Sequence, residues 1–124
     1  MSNSGRLTAV DHVNLSMPRG GEEIADGFYR DLFGLTIRDK APDADGRWYV
    51  GEGFEVHLGA VETFLPQERS HPAFRVDDLD SLAARLTAEG LPFHPEYLEG
   101  RVVRTFTADP FGNRIELIEH SYRP

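Results

Sequence analysis

The stretch DHVNL at 11–15 is matched by SHPAF at 70–74, and VHL at 56–58 is matched by IEL at 115–117. Both pairs have the same offset of 59 residues (70 − 11 and 115 − 56). Two separate matches at one offset indicate an internal duplication. The order of helical and strand-like patterns around them predicts two consecutive βαβββ modules, and therefore an α+β fold.

The first module is expected at about residues 7–59 and begins with an alternating strand at Leu7–Met17. A helix follows at Gly20–Gly34. Its apolar face recurs at fourfold spacing and comprises Ile24, Phe28 and Leu32. Three strands bounded by Gly, Pro or Asp complete the module, at Leu35–Asp39, Arg47–Gly51 and Phe54–Leu58.

The second module is expected at about residues 71–119, after a polar connector at Gly59–Ser70. A strand at His71–Val76 leads to an N-cap at Asp77-Asp78 and a helix that ends at Gly90. The apolar stripe of this helix is Leu79, Leu82 and Leu86. The last three strands are predicted at Leu91–Glu96, Val102–Ala108 and Arg114–Glu119, and a type I turn at Asp109–Gly112 separates the final two.

Composition narrows the classes of partner and chemistry. A chain of 124 residues, 40% of them apolar, suits a single domain over 1–124. A net charge of −8 disfavours nucleic acid and anionic membrane surfaces as partners. The absence of Cys excludes disulfides, thiolate metal sites and cysteine nucleophiles. Without a leader-like or membrane-spanning stretch, a cytoplasmic location is expected.

Strand register separates the candidate ligands from the apolar core. Alternate side chains of a strand face opposite sides of the sheet, so His57 faces away from Val56 and Leu58. The two helices are the available cover for such apolar faces. The opposite faces carry three imidazoles and one carboxylate, from His12, His57, His71 and Glu116. If the sheets curl, these four side chains would surround one point, and such ligands suit Zn, Ni, Fe or Co.

Several residues have both a functional and an ordinary structural interpretation. Polar residues alternate with apolar ones in any half-exposed sheet, so each candidate ligand could simply be solvated. Arg75 and Arg114 share the groove-facing register and could hold an anion, or could pair with acidic residues. Trp48 and Tyr49 could form an aromatic wall or pack in the core. The remaining two histidines, His94 and His120, are interpreted as structural or solvent-exposed.

The sequence resembles the vicinal oxygen chelate superfamily over nearly its whole length. The motifs that carry the resemblance are DHVNLSM at 11–17, FYRDLFGL at 28–35, HLG at 57–59, HPAFRVDDLDSL at 71–82 and DPFGNRIELIE at 109–119. The resemblance implies paired βαβββ modules that form a cupped mixed sheet, with helices on its outer face, around a divalent metal such as Zn, Ni, Fe, Co or Mn. Its implied metal ligands are His12, His57, His71 and Glu116.

Within this superfamily the pattern is most similar to small glyoxalase-like proteins, which implies a metal-dependent lyase or isomerase. Their best-known member isomerises the hemithioacetal of glutathione and methylglyoxal. The metal would bind two neighbouring substrate oxygens as a Lewis acid, with Glu116 or His57 as the catalytic base. Glyoxalases usually carry Glu at the position of His57, which is a departure in this chain.

Three other functions share the fold. They are metal-dependent thiol transfer to an epoxide, metal-free drug binding as in bleomycin resistance, and ring-cleaving dioxygenation, which a fourth protein ligand disfavours. Related proteins often form homodimers that share sites, which we expect here, although pairing of both modules within one chain is the alternative. The loops at Lys40–Gly46 and Glu96–Arg101 are expected to shape the groove for a small-molecule substrate.

Overall fold

The structure is a computed structural model that describes residues 4–39 and 45–124. Most of the predicted groove loop at Lys40–Gly46 lies outside the described residues. In the described part of the chain, no helix is both long and apolar enough to cross a membrane.

The first sheet has four strands in the order β1-β4-β3-β2. They are β1 (His12–Pro18), β2 (Thr36–Arg38), β3 (Arg47–Val50) and β4 (Glu55–Val61). β1 runs parallel to β4, whereas the other neighbours are antiparallel. Between β1 and β2 lies helix α1 (Glu22–Asp26), which continues directly into a π-helical segment (Gly27–Leu32).

The second sheet repeats this plan in the order β5-β8-β7-β6. Its elements are β5 (Ala73–Val76), helix α2 (Leu79–Ala88), β6 (His94–Leu98), β7 (Arg101–Ala108) and β8 (Arg114–Glu119). β5 is parallel to β8, as β1 is to β4. The prediction of an α+β fold with tandem βαβββ modules is therefore confirmed.

The apolar registers of the sheets form the core, as the alternation predicted. Val56 and Leu58 of β4 are fully buried, as are Leu79 and Leu86 of α2. All four belong to one hydrophobic cluster that spans both modules. Each such side chain contributes about 1.5–3 kcal/mol relative to an exposed position. The face opposite this core is left for polar side chains.

Strand β1 begins at His12, so the prediction of a strand from Leu7 was wrong at its start. The register with β4 opens at His12 opposite Glu55, and residues 4–10 pair with no strand in the described part of the chain. Leu7 is accordingly fully exposed. Alternation alone cannot show where a partner strand ends. Both ends of each of the other predicted strands lie within three residues of the observed ends.

The first helix also differs from its prediction, because Ile24 is 62% exposed. The buried residues are Ala25, Phe28, Tyr29 and Leu32. A π-helical turn contains more residues than an α-helical turn, so it shifts the inward face relative to a regular fourfold spacing. Ile24 therefore lies outside the face that covers the sheet.

A buried network around Asp109 joins the two modules. Its carboxylate accepts hydrogen bonds from the Tyr29 hydroxyl at 2.7 Å and from the backbone N–H groups of Phe111 and Asn113, both at 2.9 Å. The Asn113 amide donates to Asp109 and to the Ser16 carbonyl, both at 2.8 Å. The predicted turn at 109–112 is confirmed by the bond from the Gly112 N–H to the Asp109 carbonyl at 3.0 Å. This network fixes the turn between β7 and β8 of one module against β1 and the π-helical segment of the other.

Candidate metal centre

In the first module, the ring of His57 is held between two other rings. The His12 imidazole stacks on one side, with centroids 4.0 Å apart and planes 19° apart. Trp48 stacks on His57 with centroids 4.6 Å apart and planes 18° apart. Trp48 lies directly opposite His57 because β3 and β4 are neighbours. The His57 side chain is only 11% exposed, so its orientation is restricted.

Glu55 determines which nitrogen of His57 carries a proton. Its Oε1 lies 2.9 Å from His57 Nε2 and also accepts from Arg38 Nη2 at 2.8 Å. Both hydrogen bonds lower the pKa of the Glu55 carboxyl, and the bond from Arg38 lowers it more than the bond from His57. Because an ionised carboxylate can only accept, His57 Nε2 is protonated. In neutral His57, the lone pair is therefore on Nδ1.

His12 has an equivalent partner in Asp11. Its Nδ1 lies 2.9 Å from Asp11 Oδ2, which also can only accept when ionised. The proton of neutral His12 is thus on Nδ1, and Nε2 has the lone pair. In both histidines of the first module, one nitrogen is hydrogen-bonded and the other is an electron-pair donor.

In the second module, His71 is paired with Glu116. His71 Nδ1 donates to the Arg69 carbonyl at 2.6 Å, and its Nε2 lies 3.0 Å from Glu116 Oε1. Since the carbonyl can only accept, neutral His71 directs its Nε2 lone pair at a carboxylate oxygen. Two electron-pair donors at this distance require a cation or a second ring proton between them. This chemistry fits a divalent metal.

Arg104 is the residue at this site that the sequence interpretation missed. Its Nε donates to Glu116 Oε2 at 2.7 Å, which leaves Oε1 facing His71. Burial raises the pKa of the Glu116 carboxyl, but the hydrogen bond from Arg104, together with that from His71 when its Nε2 is protonated, outweighs burial, and the pKa lies below its usual value. Arg104 lies on β7, beside β8, and pairing these two strands on paper would have placed it near Glu116.

The arginines and aromatic residues that the sequence left with two interpretations differ in their contacts. Arg75 donates to the backbone carbonyls of Glu119 and Tyr122, so it holds the C-terminal segment. Arg114 lies over the Phe106 ring, 4.1 Å from its centroid. Tyr49 is fully buried in the core, whereas Trp48 stacks on His57.

The remaining histidines lie outside the two pairs. His94 and His120 are both exposed, as the sequence interpretation expected.

The four predicted ligands form two pairs, one in each sheet. Among residues 4–39 and 45–124, no group of three or more His, Asp or Glu side chains is arranged to hold a metal ion. Within the described residues of one chain, the candidates therefore stand as two pairs, each of which would be a half-site of the predicted set of four. All three histidines nevertheless have one ring nitrogen bonded to an oxygen acceptor, which is the usual setting of a metal-ligating histidine.

Comparison with known proteins agrees with the observed fold. The model of the Glyoxalase/Bleomycin resistance protein/Dioxygenase superfamily matches residues 10–117. A crystal structure of a protein from Bacillus anthracis assigned to the glyoxalase family is 34% identical, with a TM-score of 0.83, over 96% of this chain and 98% of that one. No curated protein sequence matches the chain.

Two more distant structures share the fold. Lactoylglutathione lyase from Agrobacterium tumefaciens is 23% identical, with a TM-score of 0.69, over 91% of this chain and 94% of that one. An antibiotic binding protein from a Streptomyces strain is 24% identical, with a TM-score of 0.67, over 91% of this chain and 96% of that one. A lyase and a binding protein thus have the same architecture, so function must be argued from the site.

Proposed function

The chain belongs to the Glyoxalase/Bleomycin resistance protein/Dioxygenase superfamily, and on that basis we propose that it is a metal-dependent lyase or isomerase of the glyoxalase type. Its substrate would be a small molecule that chelates the metal through neighbouring oxygens. The donor set of three histidines and one glutamate supports this reaction class over metal-free drug binding.

The hydrogen bonds of the three histidines carry the proposal. Asp11, Glu55 and the Arg69 carbonyl each accept a hydrogen bond from one ring nitrogen. The opposite nitrogens, together with Glu116 Oε1, are left as electron-pair donors. Such outer partners fix the tautomer and orientation of metal-ligating histidines and increase their basicity. The donors His12, His57, His71 and Glu116 would hold Zn, Ni, Fe, Co or Mn.

A bound divalent ion would supply Lewis-acid stabilisation of negative charge on the substrate oxygens. Of the two candidate bases, His57 has the better setting in this chain. When His57 is displaced from the metal, its Nδ1 would have a free lone pair for the substrate proton, and Glu55 at Nε2 would stabilise the imidazolium that forms. Glu116 has a lowered pKa and is held by Arg104, which makes its carboxylate the weaker base.

The half-site arrangement supports a homodimer with shared centres. The pair His12 and His57 belongs to the first sheet, and the pair His71 and Glu116 belongs to the second. A first module of one chain facing a second module of another would complete each set of four. A two-fold symmetric dimer would contain two such centres.

Metal content and turnover, measured on the same samples, test this proposal. Untagged protein is incubated with Ni, Zn, Co, Mn or Fe(II), dialysed and assayed with the hemithioacetal of methylglyoxal and glutathione. We expect Glu116→Gln to lose bound metal, and His57→Gln to retain at least part of the metal but lose turnover. His120→Gln is the matched control, because His120 is exposed and lies outside both pairs.

Less than about 0.1 metal ion per chain in the wild type would contradict the proposed metal centre, since such sites bind tightly when intact. If wild-type protein binds metal but shows no turnover, the proposed metal centre stands and the proposed glyoxalase reaction is contradicted. Turnover by His57→Gln at the wild-type rate would assign the base to Glu116 instead. The cytoplasmic location of the protein stays a prediction.

A further inference from the structure

Arg114 is a half-buried cation without an acidic partner in the described part of the chain. Three arginines in the described part of the chain are half-buried: Arg47, Arg104 and Arg114. Arg47 pairs with Asp26 at 3.2 Å, and Arg104 pairs with Glu116 at 2.7 Å. Arg114 pairs with no carboxylate among the described residues, although the sequence contains 21 acidic residues and only 13 Lys and Arg.

The contacts of Arg114 hold its guanidinium in place without neutralising it. The Phe106 ring lies 4.1 Å away, and the Arg114 side chain donates a hydrogen bond to the Glu68 carbonyl at 3.4 Å. A cation over an aromatic ring is stabilised and restricted, but its charge is not cancelled. Leaving a partly desolvated charge unpaired is costly, unless a ligand completes it.

Arg114 is positioned to act together with the second half-site. It precedes Glu116 by two residues on β8, so both side chains face the same side of the sheet, about 6–7 Å apart along the strand. Phe106, on which it lies, is also in contact with His71, with ring centroids 5.2 Å apart. A cavity of about 410 Å³ is lined by both Arg114 and His71.

We propose that Arg114 is an anion-binding subsite that holds a carboxylate or another oxyanion of the substrate beside His71 and Glu116. This deepens the proposed function and rests on it, because it makes the substrate a small anion with neighbouring oxygens, such as a 2-hydroxy or 2-oxo acid. The planar guanidinium binds such groups through two parallel hydrogen bonds. A local cation is needed because the net charge of −8 repels anions.

The other two arginines near this face are already engaged. Arg104 donates to Glu116 and lies 3.6 Å from Glu96, while Arg75 donates to two backbone carbonyls. Neither can offer both edges of its guanidinium to a ligand without giving up those bonds. Arg114 is therefore the residue to test.

The test is direct binding of small probes to the full chain after chelation of metal, so that its result is independent of the metal centre. The side-chain Nε–Hε resonance of Arg114 is followed by NMR and assigned by its absence in Arg114→Lys. Lactate and lactamide are titrated at constant ionic strength, because they differ in charge but hardly in size. A single charged anchor gives dissociation constants of about millimolar.

We expect lactate to shift the Arg114 resonance saturably and lactamide to bind at least about tenfold more weakly. Arg114→Gln should weaken lactate binding about tenfold or more, as measured by the backbone amide shifts of β8. Arg85→Gln is the matched control, since Arg85 is an exposed arginine on α2 and its loss changes the net charge equally. Its lactate affinity should stay within about twofold of wild type.

Inorganic phosphate defines the chemistry of the subsite. A shift of the same resonance by phosphate would show a general oxyanion site, and a response to lactate alone would show a carboxylate site. Equal effects of lactate and lactamide, or wild-type affinity in Arg114→Gln, would overturn the proposal. Arg114→Lys keeps the test valid if Arg114→Gln fails to fold. If the chain binds metal but the Arg114 resonance does not respond to lactate, the anion subsite is overturned and the proposed metal centre is not affected.

Discussion

A metal centre built from two chains makes a strong prediction about mixtures of variants. The first variant carries His12→Gln and His57→Gln, and the second carries His71→Gln and Glu116→Gln. Each removes one complete pair, so neither homodimer retains more than half of the donor set at any centre. Each variant alone should therefore bind almost no metal.

Mixing the two variants under dissociating conditions should restore metal binding. Random reassociation makes about half of the dimers mixed, and each mixed dimer has one centre with all four wild-type donors and one with none. Bound Ni or Co should then reach about 0.25 ion per chain, against about 1 for the wild type. Elemental analysis of the dimer fraction from size exclusion measures this ratio, and turnover should follow it.

The control mixture combines His12→Gln with a separate His57→Gln chain. Both changes lie in the first module, so a shared-site dimer places a defect in every centre, and mixing should add nothing to the average of the two parents. If the complementary mixture also stays at the level of its parents while dimers form, the centres are not shared between chains. Our assignment of half-sites to different subunits would then be wrong.

Three further predictions concern single residues. The only tryptophan, Trp48, stacks on His57, so Co²⁺ should quench its fluorescence in the wild type but much less in the variant that carries both His12→Gln and His57→Gln, and equal quenching would contradict metal binding beside this ring. Tyr29→Phe removes a hydroxyl from the buried Asp109 network and should lower the free energy of unfolding by about 1.5–3 kcal/mol in urea titrations. Tyr122→Phe, whose hydroxyl bond to Glu96 is exposed, should cost less than about 1 kcal/mol, and equal losses would refute the role of burial. Hydrogen bonds from Ser81 lower the pKa of Asp78. The stability that Asp78 contributes is therefore present above its unfolded pKa and is lost as pH falls through its folded pKa. Asp78→Asn should lose less stability than wild type between about pH 5 and 3, and parallel melting curves would contradict this.

The repeat and the strand register could be predicted because both depend on local sequence. The 59-residue offset reflects similar stretches, and alternation is a property of each strand by itself. These two features were enough to separate His57 and Glu116 from the core residues beside them. They also predicted the α+β class and the order of elements, which the two four-stranded sheets confirm.

The rest depends on which strands and helices meet. The start of β1 at His12 follows from where β4 begins, and the exposure of Ile24 follows from a π-helical turn. Arg104 meets Glu116 only because β7 and β8 pair, whereas Arg75 points to the C-terminal segment.

By itself, then, the sequence determined the modules, their order and the polar face that carries the four candidate ligands. The tertiary structure decided that these ligands form two separate pairs and which ring nitrogen of each histidine is available. It also decided that Arg114 is left without an acidic partner among the described residues. The physical reason is that alternation acts within one strand, while hydrogen bonds and ion pairs join residues far apart in the chain.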